Sequence, residues 1–300
     1  MLDKIIYFKE MSLFMRTKLA FAALAVSMSV VFAGCSSDSK EKETDAPAQG
    51  QTSDSASVDD KLKDVLDQYR QFSIEQSDQL IVETEKFVEA IKSGDLEAAK
   101  ALYAPTRMYY ERIEPIAEAL GNFDPDIDAR EHDVEDAEWR GFHRIEKGLW
   151  VDNKTAGTEE YADRLLSDVK SLRALMETVE VDTPMLTTGA VELLNEVSSS
   201  KVTGEEERYS RTDLYDFVAN VEGARKIYEL LKPELAAKDA NLEKEIGEKF
   251  TALEGLLAKY KSGDGYVAFT ELKEEDTRAL SQALDALAEP LSQMGKAIGV

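Results

Sequence analysis

From about residue 59 to the end of the chain, apolar side chains recur at three- and four-residue spacing, the period of a helix with one buried face. No run alternates apolar and polar positions with the β-branched enrichment of a strand. The spacing predicts helices over residues 59–93, 95–120, 134–152, 158–181, 185–200, 208–237, 239–261 and 270–298. Their breaks fall on turn and cap chemistry: Ser93-Gly94-Asp95, Gly121 to Pro125, Asn153 to Gly157, Asp182 to Pro184, Thr203-Gly204 and Ser262 to Gly265. Short connections between long amphipathic helices favour antiparallel neighbours, so the expected fold class is all-α, an antiparallel helical bundle. A faint repeat points to duplication. Lys92-Ser93-Gly94-Asp95 and Lys261-Ser262-Gly263-Asp264 each close a helix, and Glu114-Pro115 and Glu289-Pro290 sit near the far ends of the helices that follow. The expected domain, 59–300, then has halves of about 59–183 and 184–300, with convergent cap chemistry as the plainer alternative. Glu111 has Ala286 opposite it in the second copy, so a carboxylate pair belongs to the first half only.

The chain before residue 59 follows other rules. Residues 36–58 hold Ser, Asp, Glu, Gln, Lys and Ala with almost no large apolar side chain, and read with Cys35 as a flexible tether over 35–58. Residues 1–34 contain an apolar run, Leu19 to Phe32, that follows Arg16 and Lys18 and closes on Ala33-Gly34-Cys35. A positive start, a short apolar stretch and small residues before a cut describe a secretory signal peptide, too short for a stable membrane span. The single cysteine lies directly after Ala-Gly, which resembles a bacterial lipobox in which Cys35 is diacylated and becomes the mature N-terminus. Phe32 stands where leucine is usual, and a plain secreted protein cut near the same place is the alternative. Met11 and Met15 fit the signal better as starts than Met1. The expected address is the cell membrane, lipid-anchored on its extracytoplasmic face, in a periplasm or at a cell surface.

Charge narrows the partners. The chain has 36 basic and 60 acidic side chains; residues 1–34 carry Lys4, Lys9, Arg16 and Lys18 against Asp3 and Glu10, so their removal leaves 32 and 58, a net of −26. Such a balance argues against nucleic acid or an anionic lipid surface as partner. It suits cations, and it equally suits simple solubility. With Cys35 the only cysteine, stability outside the cell rests on a packed core rather than on a disulfide.

The candidate chemistry lies in the first half. Gly141-Phe142-His143-Arg144-Ile145-Glu146 places one of two histidines three residues before a glutamate, on one face of a helix. Glu111 and Glu114 form a second pair at the same spacing, with Arg107 and Arg112, or a metal ion, available to offset their repulsion, and with Pro115 placed to kink the helix. Between them, Asp124, Asp126 and Asp128 alternate along a loop that lacks the Gly and terminal Glu of an EF-hand. Asp128, closest to the next helix, is the best ligand among the three, with an N-cap or turn role as the alternative. Pairs of this kind on neighbouring bundle helices build inward-facing iron sites. Oxygen donors with one imidazole fit ferric or ferrous iron best, leave zinc and copper open, and a thiolate site is excluded because Cys35 is used by the anchor. Trp139, Phe142 and Trp150 are read as core around the histidine.

Tyr110-Glu111-Arg112-Ile113-Glu114-Pro115, Asp124-Pro125-Asp126-Ile127-Asp128-Ala129-Arg130-Glu131, Gly141 to Glu146, and the later stretch Tyr209 to Gly223 occur in this order in the chain. Together they resemble the motifs of the EfeO/EfeM iron-uptake lipoproteins of the imelysin-like superfamily, over about residues 59–298. The resemblance implies a duplicated helical bundle and a metal site of His143 and Glu146 with Glu111, Glu114 and Asp128. It also implies the partners: a membrane iron permease that receives the ion and a haem peroxidase as third component. The N-terminal cupredoxin domain of some members is not visible here, which puts a copper-dependent oxidation step within this chain in doubt.

The expected function is therefore a membrane-tethered iron-binding component of an uptake system, and not an enzyme. Two alternatives compete. A zinc metallopeptidase would join His132 to His143 and Glu146, yet no H-E-x-x-H is present and no further glutamate is placed as a general base. A receptor for a polyanionic polysaccharide would need a basic cleft or a bridging metal, and no basic cluster is evident.

Overall fold

The computed structural model describes residues 52–117 and 121–300, which fall within one compact unit, Gly50–Val300. The expected signal peptide, Cys35 and the tether up to residue 51 lie outside the described residues. Helix α1 (Thr52–Ser93) begins inside the stretch read as tether. Its inner face runs through Tyr69, Leu80, Phe87 and Ile91, interleaved with Ser73 and Ser77, whose hydroxyls donate to the carbonyls of Tyr69 and Ser73. The two serines are thus buried with their hydroxyls satisfied.

After α1 come α2 (Leu96–Glu111), α3 (Glu114–Ala117), α4 (Phe123–Asp128), α5 (Phe142–Trp150) and α6 (Glu159–Met176). The second half holds α7 (Thr183–Ser199), α8 (Asp213–Lys238), α9 (Ala240–Leu257), α10 (Glu274–Leu291) and α11 (Met294–Ile298). Helices α1, α2 and α6 pack together, α7 to α10 form a second bundle, and α2 against α8 joins them over a continuous apolar core. The described residues are all-helical, as the periodicity predicts, except for one hairpin among them, β1 (Lys261–Ser262) with β2 (Gly265–Tyr266). That hairpin changes the repeat: Lys-Ser-Gly-Asp ends a helix at 92–95 but turns a hairpin at 261–264. The four-residue match therefore records turn chemistry that two different turns share.

Three departures from the expected helices shape the site. The helix expected over 95–120 breaks after Glu111, and Pro115, rather than kinking a continuous helix, sits in the first turn of α3, where its missing N–H costs nothing. Gly223 of α8 lies against this break; a Cβ there would come 2.5 Å from the Arg112 carbonyl oxygen. The helix expected over 134–152 is only α5, because residues 133–138 offer no apolar face and Gly141 enters α5 at φ 84°, ψ −164°. Third, the helix expected from 208 starts at Asp213, leaving 204–212 as an irregular connection.

Gly141 makes a sharp test of this entry. Its backbone conformation is open essentially only to glycine, and a Cβ would overlap the Ile127 carbonyl, next to Asp128. Gly141→Ala is expected to lower stability by roughly 2–4 kcal/mol, the strain of ~1–3 kcal/mol for such a backbone plus the overlap, read as a lowered urea midpoint at unchanged slope.

Candidate metal centre

Six elements converge where the two bundles meet. Helix α2 contributes Arg107 and Glu111, one turn apart, and α3 contributes Glu114. Asp128 closes α4, and His143 and Glu146 lie in the first turns of α5. The connection between α7 and α8 adds Lys201, Glu206 and Glu207, and α8 adds Asp213, Asp216 and Asn220. None of these twelve side chains is more than 8% exposed. Eight are carboxylates, against Arg107, Lys201 and the histidine, so the cluster stays acidic unless protons or cations join it.

Arg107 is the hub. Its guanidinium meets Glu111 at 2.5 Å, Glu207 at 2.6 Å, Asp216 at 3.3 Å and Asp128, and lies 3.9 Å from Glu206. The rings of Phe142 and Tyr103 flank it at 5.5 and 5.9 Å, a geometry suited to a cation over aromatic faces. Lys201 serves the other pair: its Nζ donates to Glu111 at 2.9 Å and to Glu114 at 3.0 Å, while the Asn220 amide donates to the same two carboxylates at 2.9 and 2.7 Å. Two carboxylates sharing two donors do not ionise alike. Burial, only partly offset by Lys201, keeps Glu114 well above the usual carboxylate range, whereas in Glu111 Lys201 and Arg107 outweigh burial and hold it low.

His143 has two different faces. Nδ1 lies 3.3 Å from Glu146 Oε2, and the other oxygen of Glu146 accepts the backbone N–H groups of Tyr209 at 3.0 Å and Ser210 at 2.7 Å. Glu146 therefore fixes the ring and takes the proton of Nδ1 in a hydrogen bond, which leaves Nε2 as the free donor atom. Nε2 is buried without a hydrogen-bond partner, 3.5 Å from Asp128 Oδ1 and 3.6 Å from Glu206 Oε1. Burial and Arg107 pull the histidine pKa down, but its bond to Glu146 and the nearby carboxylates of Glu206 and Asp128 win and push it up to about 9. The arrangement is thus one that demands positive charge.

Asp128 and Glu206 also line a cleft of about 310 Å³, with Glu114, Asp124, Glu196 and Arg130 on its walls. Ligand atoms of Asp128, His143 and Glu206 lie within 4.8 Å of one another, as do those of Glu114, Asp124 and Asp128. The donor set, carboxylates with one imidazole, fits a hard or borderline cation approached from the cleft.

Of the five residues expected from the sequence, the fold brings Asp128 and His143 Nε2 together. Glu146 stands on the opposite ring nitrogen, and Glu111 and Glu114 face Lys201 and Asn220, with Glu114 alone of that pair reaching the cleft. Arg112, expected to offset Glu111 and Glu114, instead pairs with Glu222 at 2.7 Å. Asp124 accepts from the Tyr110 hydroxyl at 2.9 Å and Asp126 pairs with Arg140. Phe142 is fully buried beside the centre; Trp139 packs against Arg144 and Lys147, and Trp150 against Tyr103. His132 is exposed on the loop before Trp139, with Asp136 at 3.9 Å. Sequence reasoning missed Lys201, Glu206 and Glu207. The run Glu205-Glu206-Glu207, immediately before the motif that starts at Tyr209, was the available signal.

The imelysin (Peptidase_M75) family model matches residues 65–294. Over 276 residues the chain is 45% identical to an Efem/EfeO family lipoprotein of Staphylococcus haemolyticus, an alignment covering 90% of this chain and 96% of that relative. Over 240 residues it is 48% identical to an Efem/EfeO family lipoprotein of Staphylococcus aureus, covering 78% and 84% respectively.

Proposed function

The chain belongs to the imelysin family, among its Efem/EfeO members, and from that premise we propose that it is a lipid-anchored, extracytoplasmic iron-binding component of an uptake system. It captures ferric or ferrous ion and passes it to a membrane permease, with no covalent chemistry of its own. The observation that carries this reading is the unpartnered, buried Nε2 of His143 between Asp128 and Glu206 at an acidic cleft. The lipoprotein relatives support the anchor at Cys35, and among the described residues no helix is long and apolar enough to cross a membrane.

The geometry favours this reading over a zinc peptidase. His132 is exposed on a loop, so it does not join the buried His143 and Glu146 as a second histidine ligand. It also disfavours a polyanion receptor, since the one cation on the cleft wall, Arg130, is already paired with Glu206 and Asp133. Calorimetric titration of the full chain in detergent with ferric citrate, ferrous, zinc and cupric ions tests the proposal. Saturable binding with iron the tightest is expected; absence of iron binding would overturn it.

Two further outcomes follow from the histidine. Because Nε2 keeps its proton up to about pH 9 in the empty protein, binding at neutral pH displaces at least one proton. Affinity is then expected to rise about tenfold per pH unit between pH 6 and 8, with proton release visible as a dependence of binding heat on buffer ionisation enthalpy. Without metal the sign reverses. A folded-state pKa raised from 6.5 to about 9 adds stability that is fully present below pH 6.5 and is lost as the pH climbs through 9. Glu146→Gln keeps the side chain's shape but weakens its hold on the ring, and a loss of about 10–100-fold in iron affinity is expected. A full-strength site in that variant would mean that Glu146 does not orient the histidine.

A further inference from the structure

We propose that Lys201 is a tethered competitor of the incoming metal ion: its ammonium group fills the acidic centre while it is empty and sets the bound ion's affinity low enough for release. The inference rests on the iron-binding reading given above. Lys201 is 1% exposed and sits on a single helical turn, Lys201–Thr203, that leads directly into Glu206 and Glu207. Its Nζ is 2.9 Å from Glu111, 3.0 Å from Glu114 and 3.8 Å from Glu206 Oε1. That same Glu206 oxygen is the one nearest His143 Nε2, at 3.6 Å. One segment thus delivers both a ligand, Glu206, and a cation, Lys201, and the cation lies near the very oxygen that is nearest the histidine.

The consequence is electrostatic. An ion bound to Glu206 Oε1 would have the fixed charge of Lys201 within about 6 Å, too close for water or salt to screen fully in a buried cluster. Lys201 also engages Glu114, the one of its two main partners that lines the cleft. Removing the ammonium therefore both relieves repulsion and releases a carboxylate toward the ion. Arg107 is equally buried but does not have this freedom, because five carboxylates and two aromatic rings depend on it. A hub cannot be exchanged without the fold; a cation with fewer partners can.

The test compares the wild-type full chain in detergent with Lys201→Met, Lys201→Arg and the double variant Lys201→Met/Glu111→Gln. The double variant removes one charge of each sign, so it folds even where the single one leaves a carboxylate unpaired. Zinc ion and ferric citrate are titrated at pH 7, and release is timed after addition of excess chelator. Affinity at least about tenfold tighter with correspondingly slower release is expected for Lys201→Met, a smaller tightening for the double variant through the release of Glu114, and wild-type behaviour for Lys201→Arg. Unchanged or weaker binding by a folded methionine variant, beside a wild type that binds, overturns the proposal alone. A wild type that binds neither ion overturns it together with the reading of the site.

Discussion

Arg107→Met is expected to be the most damaging single substitution in the protein, costing roughly 3–5 kcal/mol or more because breaking a buried ion pair leaves charge without compensation. Against a typical total of about 5–15 kcal/mol, that loss leaves little or no folded population on warming. The reason lies in the number of dependents: Glu111, Asp128, Glu207 and Asp216 all make close contacts to one guanidinium that water does not reach. Lysine in its place supplies the charge as a point, without the planar fork that meets several acids at once, and should recover only part of the loss. Thermal unfolding followed by circular dichroism checks this. Mild acid should narrow the gap between variant and wild type, since protonated carboxyls no longer need the arginine. A variant as stable as the wild type at neutral pH would mean that the acids are neutral without it.

The second large effect is expected for His143→Ala. It should reduce iron affinity by at least about a hundredfold, the upper end of what loss of an outer partner of a ligand produces, because His143 supplies the only nitrogen among the grouped ligand atoms of the described residues. Helicity should survive, since α5 remains anchored by Phe142, Ile145 and Leu149 in the core. Calorimetry beside far-ultraviolet circular dichroism separates the two quantities. Asp128→Asn and Glu206→Gln form the natural comparison: each removes one negative oxygen donor near Nε2 and should weaken binding while keeping the ring in place. Retained affinity in all three variants would move the ion elsewhere in the cleft, toward Glu114 and Asp124.

The contrast between these residues shows how far the chain could be read before it was folded. His143, Asp128 and Glu146 announce themselves by type and spacing, because a helix puts residues three apart on one face wherever it is formed. Glu206 lies 63 positions from His143 in a stretch with no periodic signal, and its role exists only because the connection between α7 and α8 is folded back over the start of α5. Arg112 shows the reverse error. It is the cation adjacent to Glu111 in sequence, but the break after Glu111 turns it out to Glu222, and Lys201 arrives from the other half of the chain to take its place.

By itself the sequence determined that the protein is all-helical, where one end of most of its long helices lies, and that its first half carries the histidine and part of the carboxylate set. These are local properties: the apolar period, the caps and the i, i+3 spacing act within a few residues and need no partner to be recognised. Only the tertiary structure decided which nitrogen of His143 is free, which acids are neutralised by Arg107 and Lys201, and that Glu206 faces the cleft. Those outcomes depend on which charges meet in a space without water, and the strength of each pairing is set by burial and distance, quantities that the order of residues does not contain.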